Sequence, residues 1–302
     1  HHGAERVRIQ LAPVNLHWAS DKALILLRDC AAKHHVPIHM HLLETKYQKQ
    51  YARRRSGGTA VEHLRDLRML GPHLTLGHGV WLTASDIDLI AETGTLVCHN
   101  PSSNLRLRSG IAPLNALERR GIQVALGLDD CSINDDRSML QEMRVALKVH
   151  RVPGMDDDVP TASQVLQMAT EHGARSTPFG LNIGTLETGK SADLVIMDWK
   201  HIAFPYLDRD VPIVEALVHL ARDTGVETVL VSCEPIMRDR KFTRLNKADV
   251  LEELTASLRV PLRPDEERRR QLSKRLFPHV RQFYADEGYL SEQDGVPFYH
   301  VN

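Results

Sequence analysis

The segment Pro37-Ile38-His39-Met40-His41-Leu42-Leu43-Glu44-Thr45 opens apolar, carries histidines at alternate positions and places a carboxylate three residues after the second. As an extended strand it points His39 and His41 the same way, because successive side chains alternate between faces. Glu44 then falls just beyond the strand end, where a βα loop begins. A metal-ligating histidine at the end of a parallel strand, with a carboxylate beside it to move protons, is half of a hydrolytic site. The plainer alternative is a histidine satisfied within the core beside a solvent-facing glutamate.

Working outward, the same pattern recurs. Upstream, Val7-Arg8-Ile9-Gln10-Leu11 alternates and stops at Ala12-Pro13, which predicts a strand. Ser20-Asp21 caps a predicted helix to about residue 33, with Leu24, Leu27 and Ala31 on its apolar face. Downstream, a basic loop over 47–55 and Gly57-Gly58 lead to a helix over 60–70. A strand over 74–78 ends in His78, and Thr83 with Asp86 forms a capping box for a helix through residue 92. A strand over 95–98, a loop over 99–104 and a short helix over 113–120 follow. The next strand, 122–126, ends in Gly127-Leu128-Asp129, and helices over 138–150 and 161–174 come after it, parted by Pro153-Gly154 and three aspartates at 156–158.

Short strands alternating with longer helices imply βαβ units and a parallel sheet. Polar or titratable residues sit repeatedly where strand passes to loop: His41 and Glu44, His78, Asn104, Asp129. In a (β/α) barrel that is the face where active sites lie. After Thr177-Pro178 the character changes. A glycine turn over 184–189 leads into an apolar strand, and short strands over 226–231 and 235–237 predict a small β-domain. Helices over 247–258 and 264–287 follow, the second kinked at Pro278. The charged run 263–275 reads as a solvated helix face, and Phe298 and Tyr299 as a tail that docks on the body or on a second subunit.

The composition bounds the function. The chain has 302 residues, 42% hydrophobic and 25% charged, with a formal net charge of −1. That is ordinary for a globular protein with a large core. The balanced charge argues against a nucleic-acid partner. No apolar run approaches the ~20 residues of a membrane span, and no signal-peptide pattern opens the chain. Cys30, Cys98, Cys131 and Cys233 lie far apart, which reads as reduced thiols in a cytoplasmic protein. His1 and His2 carry no chemistry in this reading.

Five motifs occur in a set order: His-Leu-Leu-Glu (41–44), Leu-Gly-His-Gly-Val (76–80), Asn-Pro-Ser-Ser-Asn-Leu (100–105), Gly-Leu-Asp (127–129) and Gly-Thr-Leu-Glu-Thr-Gly-Lys-Ser-Ala-Asp-Leu (184–194). With them the chain resembles the amidohydrolase superfamily over residues 5–245. It looks most like the metal-dependent aminohydrolases and chlorohydrolases that act on purines, pterins and s-triazines. The resemblance implies a (β/α)8 barrel. Its parts would be a barrel portion over 1–178, a small β-domain over 179–245 contributing to a composite β-sandwich, and C-terminal helices and tail over 246–302.

By that pattern His41 and Asp129 are metal ligands on barrel strands 5 and 8. Glu44 is the proton shuttle, and His78 on strand 6 contacts the metal, its water or the substrate. A bound Zn²⁺ (Fe²⁺ the alternative) lowers the pKa of water from ~15.7 to ~7. Asp129 then accepts a proton, Glu44 passes one to the ring nitrogen and the leaving group, and His78 stabilises charge on oxygen. Substrate contacts are assigned to Ser103, Asn104 and Trp81.

Each residue has a plainer reading. His78 at a strand end can bond backbone, and Ser103 and Asn104 can shape a turn. Asp129 with Asn134, Asp135 and Asp136 is oxygen-rich, but a calcium loop of the EF-hand type needs glycine where Asn134 stands. His39 reads as core or as a neighbour of the ligands, and His99 has no assigned role. The Pro-Cys-x-x-Cys signature of the other zinc deaminase fold is absent.

The chain departs from the family in lacking the His-x-His of barrel strand 1. With Val7 to Leu11 as strand 4, the earlier strands would lie upstream, and the chain is expected to be the downstream part of a longer enzyme. Residues 7–18 contain no lysine, which favours a mononuclear site. The expected activity is hydrolysis of a C–N bond of an amino-substituted N-heterocycle by a homo-oligomer. The alternatives are halide displacement or cyclic-amide opening, and, in a different class, a non-catalytic barrel fragment that binds no metal.

Overall fold

The computed structural model describes residues 6–130, 132–134, 136–155 and 159–286. Its first sheet is built from β1 (Ile38–Leu42), β2 (Leu74–His78), β3 (Leu96–His99) and β4 (Val124–Leu126), all parallel and in chain order. Helices separate them: α1 (Asp21–His34) before β1, then α2 (Lys46–Ser56), α3 (Ala60–Asp66), α4 (Ala84–Thr93), α5 (Pro101–Arg106) and α6 (Leu114–Arg119). After β4 come α7 (Met139–Val149), α8 (Ala162–Ala169) and α9 (Glu171–Arg175).

The parallel strands are covered on both faces, as such sheets must be. Every residue of β2, β3 and β4 is buried, and β1 alternates Ile38, Met40 and Leu42 inward against His39 and His41 on the opposite face. Leu24, Leu64, Ile87, Ile90, Leu117, Leu147 and Val165 of the helices pack with these strands in one core. Each such aliphatic side chain contributes roughly 1.5–3 kcal/mol by leaving water. The register sets β1 and β2 end to end, with Leu42 opposite His78. Their exits are tied further by Gly79 N–H to the Leu42 carbonyl and Trp81 N–H to the Leu43 carbonyl, each 3.0 Å.

A second, antiparallel sheet follows: β5 (Leu194–Met197), β6 (Val226–Val231), β7 (Glu234–Arg238) and β8 (Lys241–Phe242). Between β5 and β6 lie α10 (Trp199–Ile202) and α11 (Ile213–Leu220), which the sequence did not suggest. Helix α11 packs on α7 and α8, and Val218 joins the first core. The Arg144 guanidinium, almost wholly buried, donates to the carbonyls of Ala221 at 2.8 Å and Val218 at 3.4 Å. Ser138 Oγ donates to Asp223 at 2.8 Å beside it. Helices α12 (Lys247–Leu258) and α13 (Pro264–Asp286) end the described chain, and α13 is one helix across Pro278. Among the described residues, no helix is long and apolar enough to cross a membrane.

Several expectations need correction. Val7 to Leu11 is not a ladder strand: only Leu11 forms a bridge, parallel to Ile38. The supposed basic loop over 47–55 is α2. Thr45 caps its first turn and left-handed Gly57 its last, so local chemistry makes a helix that shows almost no apolar face. The loop over 99–104 contains α5, begun by Pro101 in the first turn, where its missing N–H is harmless. The helix over 161–174 breaks at Thr170, whose hydroxyl donates to the Leu166 carbonyl at 2.7 Å. Cys131, Asp135, the aspartates at 156–158, Phe298 and Tyr299 lie outside the described residues.

Candidate active site

Three strand exits converge. Those of β1, β2 and β4 each turn through a non-glycine residue in the left-handed region: Leu43 (φ 52°), His78 (φ 74°) and Asp129 (φ 62°). Such conformations are uncommon outside glycine and cost roughly 1–3 kcal/mol, and they gather at functional sites. Here they curl the chain so that one donor atom each of His41, His78 and Asp129 lies within 4.8 Å of the others. The rings of His41 and His78 stack with centroids 5.3 Å apart.

Each histidine is held by its inner nitrogen. Nδ1 of His41 lies 2.8 Å from the Val14 carbonyl, which also accepts the His41 backbone N–H at 3.0 Å. A carbonyl only accepts, so the proton sits on Nδ1 and the Nε2 lone pair is left for a ligand. Nδ1 of buried His78 lies 2.8 Å from Asn104 Oδ1, with Asn100 Nδ2 at 3.3 Å. Ser103 Oγ donates to Asp129 Oδ2 at 2.5 Å, and the Asp130 N–H donates to Asp129 Oδ1 at 2.9 Å. Glu44 follows Leu43. Its N–H donates to Gln48 Oε1 at 2.8 Å, and its carboxylate accepts from Ser109 Oγ at 3.2 Å.

Burial sets the electrostatics around this cluster. His39, below His41 on β1, is held under the usual imidazole range by burial, then by the charges of His41 and His78. Burial pushes the Cys98 thiol up to about 12, with Asp129 and Glu142 adding to it, so Cys98 is an inert neutral S–H that points at Asn100 Oδ1, 3.7 Å away. The buried Glu142 carboxyl, raised by burial, accepts from Ser102 N–H at 3.0 Å and Asn134 Nδ2 at 3.2 Å. Those bonds pin the loop after Asp129.

His41, His78 and Asp129 are therefore together, with Glu44 on the adjoining turn. Ser103 and Asn104, expected at the substrate, have no accessible surface and are turned onto Asp129 and His78. Trp81 is partly buried, its indole N–H donating to the Ser109 carbonyl at 2.9 Å. The sequence reading missed Val14, Asn100 and Ser109. Val14 and Ser109 are ordinary loop residues in sequence, and their part depends on contacts across 27 and 65 residues of chain. The oxygen-rich run read as a calcium-loop alternative places Asp129 with the histidines instead, and Asn134 on Glu142.

The donor set suits a divalent transition metal. Two imidazoles, that of His41 with its inner proton fixed on a carbonyl, and one carboxylate make a donor set such an ion accepts.

A sequence profile of the amidohydrolase family matches residues 2–236. The chain belongs to the amidohydrolase family. This amidohydrolase is 36% identical over 249 residues to a 5-methylthioadenosine/S-adenosylhomocysteine deaminase of Syntrophobacter fumaroxidans, covering 82% of this chain and 56% of that protein. It is 34% identical over 248 residues to a 5'-deoxyadenosine deaminase of Methanosarcina mazei, with the same coverage. The chain thus spans little more than half the length of the curated relatives it matches. Among solved structures, an adenosine deaminase from Xanthomonas campestris with bound zinc superposes with a TM-score of 0.78 at 29% identity, over 83% of this chain and 56% of that one. A zinc complex of atrazine chlorohydrolase from Arthrobacter aurescens shares the fold, with a TM-score of 0.77 at 22% identity over 83% and 55% of the two chains. Such relatives imply a TIM-barrel type of fold, to which the parallel α/β sheet conforms.

Proposed function

We propose that this amidohydrolase is the downstream part of a metal-dependent deaminase that removes an exocyclic amine from an amino-substituted N-heterocycle. The observation that carries the reading is the convergence of His41, His78 and Asp129 within 4.8 Å. The named activities of the relatives favour the 6-amino group of an adenosine-type nucleoside as the bond cleaved. In this reading the parallel strands and the Leu11 bridge take the places of barrel strands 4–8, with further ligands supplied upstream. The parts are the barrel portion 1–178, the small β-domain 179–245 and the C-terminal helices and tail 246–302.

His41 and Asp129 would hold one zinc, with His78 facing the same position. The metal supplies Lewis-acid chemistry, making water a nucleophile near neutral pH. The rest falls to the chain's own groups. Asp129 accepts the proton released as water adds to the ring carbon. Glu44, steadied by Ser109, delivers a proton to the adjacent ring nitrogen and then to the departing amine. His78, its Nδ1 turned onto Asn104 Oδ1, presents the Nε2 lone pair as an acceptor that orients the attacking water. Water and the amino-heterocycle thus become the oxo-heterocycle and ammonia.

The test is metal content by mass spectrometry, followed by assay of ammonia from adenosine-type nucleosides. About one zinc per chain, lost in His41→Ala, with ammonia released by the metal-loaded protein, is the expected result. Chloride or a new carboxylate as product would move the activity to another branch of the family. A protein of confirmed mass with neither metal nor turnover would be a non-catalytic barrel portion.

A further inference from the structure

Of the four parallel strands, β3 is the one whose exit donates nothing to the metal cluster. Its exit touches three of the four site groups instead, His41 being held by the Val14 carbonyl. Ser103 reaches Asp129 at 2.5 Å, Asn104 reaches His78 at 2.8 Å, and Ser109 reaches Glu44 at 3.2 Å. We propose that the exit of β3, residues 100–109, is a shared positioning element that sets the orientation of ligands and proton shuttle together. The inference rests on the reading above of which groups work, and it adds residues that touch neither metal nor substrate.

The partners argue against a turn-shaping role. Ser and Asn that merely shape turns bond their own neighbouring backbone. Here Ser103 and Asn104 each bond a side chain 26 residues away, and Ser109 one 65 residues away. Ser103 and Asn104 are wholly buried, where an unmatched polar group costs roughly 1–3 kcal/mol. The Asn104 amide lies against His78 Nδ1 at 2.8 Å, with the Asn100 amide 3.3 Å from the same nitrogen, so both side chains are committed to the histidine.

The element is also stiff. Ser109 N–H donates to the Asn104 carbonyl at 2.8 Å and Leu107 N–H to the Ser103 carbonyl at 2.9 Å. Trp81 closes the far end through the Ser109 carbonyl, and Glu142 holds the near end through the Ser102 N–H. Groups from three different strands are therefore referred to one short frame. Outer partners of this kind fix the tautomer and direction of a ligand.

Two readouts test this. Long-range ¹H–¹⁵N NMR of the metal-free chain reads the His78 tautomer without turnover: protonated Nδ1 is expected, retained in Asn104→Asp and lost in Asn104→Leu. Competition with a chromogenic chelator reads zinc affinity, expected to fall about 10- to 100-fold in Ser103→Ala and Asn104→Leu. Ser109→Ala should keep zinc affinity within about twofold while kcat falls about tenfold at unchanged KM, the mark of a displaced proton carrier. A wild-type His78 protonated on Nε2 alone would overturn the proposal and needs no variant to fold. So would unchanged zinc affinity in folded Ser103→Ala. If the wild type binds no zinc, the proposed function fails while the tautomer still decides the positioning role.

Discussion

His99 and His150 meet nitrogen to nitrogen, Nε2 to Nε2 at 2.9 Å, inside the protein. One ring must donate. Nδ1 of His99 is buried without a partner, so a proton placed there would be stranded. The proton belongs on His99 Nε2, with His150 accepting. Burial, then the neighbouring charges of His150 and His78, hold His99 well below the usual imidazole range, and burial lowers His150 to about 4. Both rings are neutral at pH 7.

Acid should therefore unfold this protein sooner than its surface charges suggest. Each histidine binds a proton more tightly unfolded, near pH 6.5, than folded. Their contribution is complete above about pH 7 and drains away as pH falls from 6.5 towards 4. For His150 alone the loss amounts to about 3 kcal/mol. Urea unfolding at pH 7, 5.5 and 4.5 checks it, and His150→Gln should flatten the slope while lowering the plateau.

Gly127→Ala should damage both stability and site. A Cβ there would lie 2.4 Å from Asn100 Oδ1 and 2.8 Å from Cys98 Sγ. Both atoms sit at the closely packed exit of β3, so one must move. Overpacking of this kind costs roughly 1–3 kcal/mol. Chemical denaturation should show that loss, together with weaker zinc binding, because Asn100 faces His78.

Arg144→Met should loosen α11 from α7 and α8. It replaces a buried cation that caps the carbonyls of Val218 and Ala221. Hydrogen bonds to charged groups are worth roughly 1.5–3 kcal/mol, and the stranded carbonyls add to the loss. The urea midpoint should drop accordingly, and hydrogen exchange should rise first over α11.

Asp129→Asn and Glu44→Gln should separate binding from proton transfer. Asparagine tolerates the left-handed conformation at φ 62°, so Asp129→Asn removes charge without adding strain. Zinc content should fall sharply. Glu44→Gln should keep zinc and lower kcat by about 10²- to 10⁴-fold. Metal analysis and steady-state kinetics on the same preparations distinguish the two outcomes.

Much of this was legible in the sequence, for reasons that differ by residue. His41, His78 and Asp129 stood out because a titratable side chain at each of several strand ends is a chemical pattern, and family likeness ordered them. The Thr83–Asp86 capping box is present as read, since capping is local. Helix α2 was hidden because its stability comes from Thr45, Gly57 and helix-favouring side chains, not from an apolar stripe. Val7 to Leu11 alternates like a strand, but strand pairing depends on neighbours that alternation does not specify, and only Leu11 pairs. Ser103 and Asn104 carried the right types for a site while their direction did not show. Whether such a residue faces a ligand or the substrate is settled by distant packing.

Trp81 donates to the Ser109 carbonyl, and Ser109 in turn touches Glu44. The other tryptophans, Trp18 and Trp199, are 78% and 45% exposed. A water-soluble quencher therefore darkens those two first and leaves the emission of Trp81. The protein carries its own lamp beside Glu44, and a change in that residual light on adding zinc or a heterocycle reports rearrangement there before any product forms.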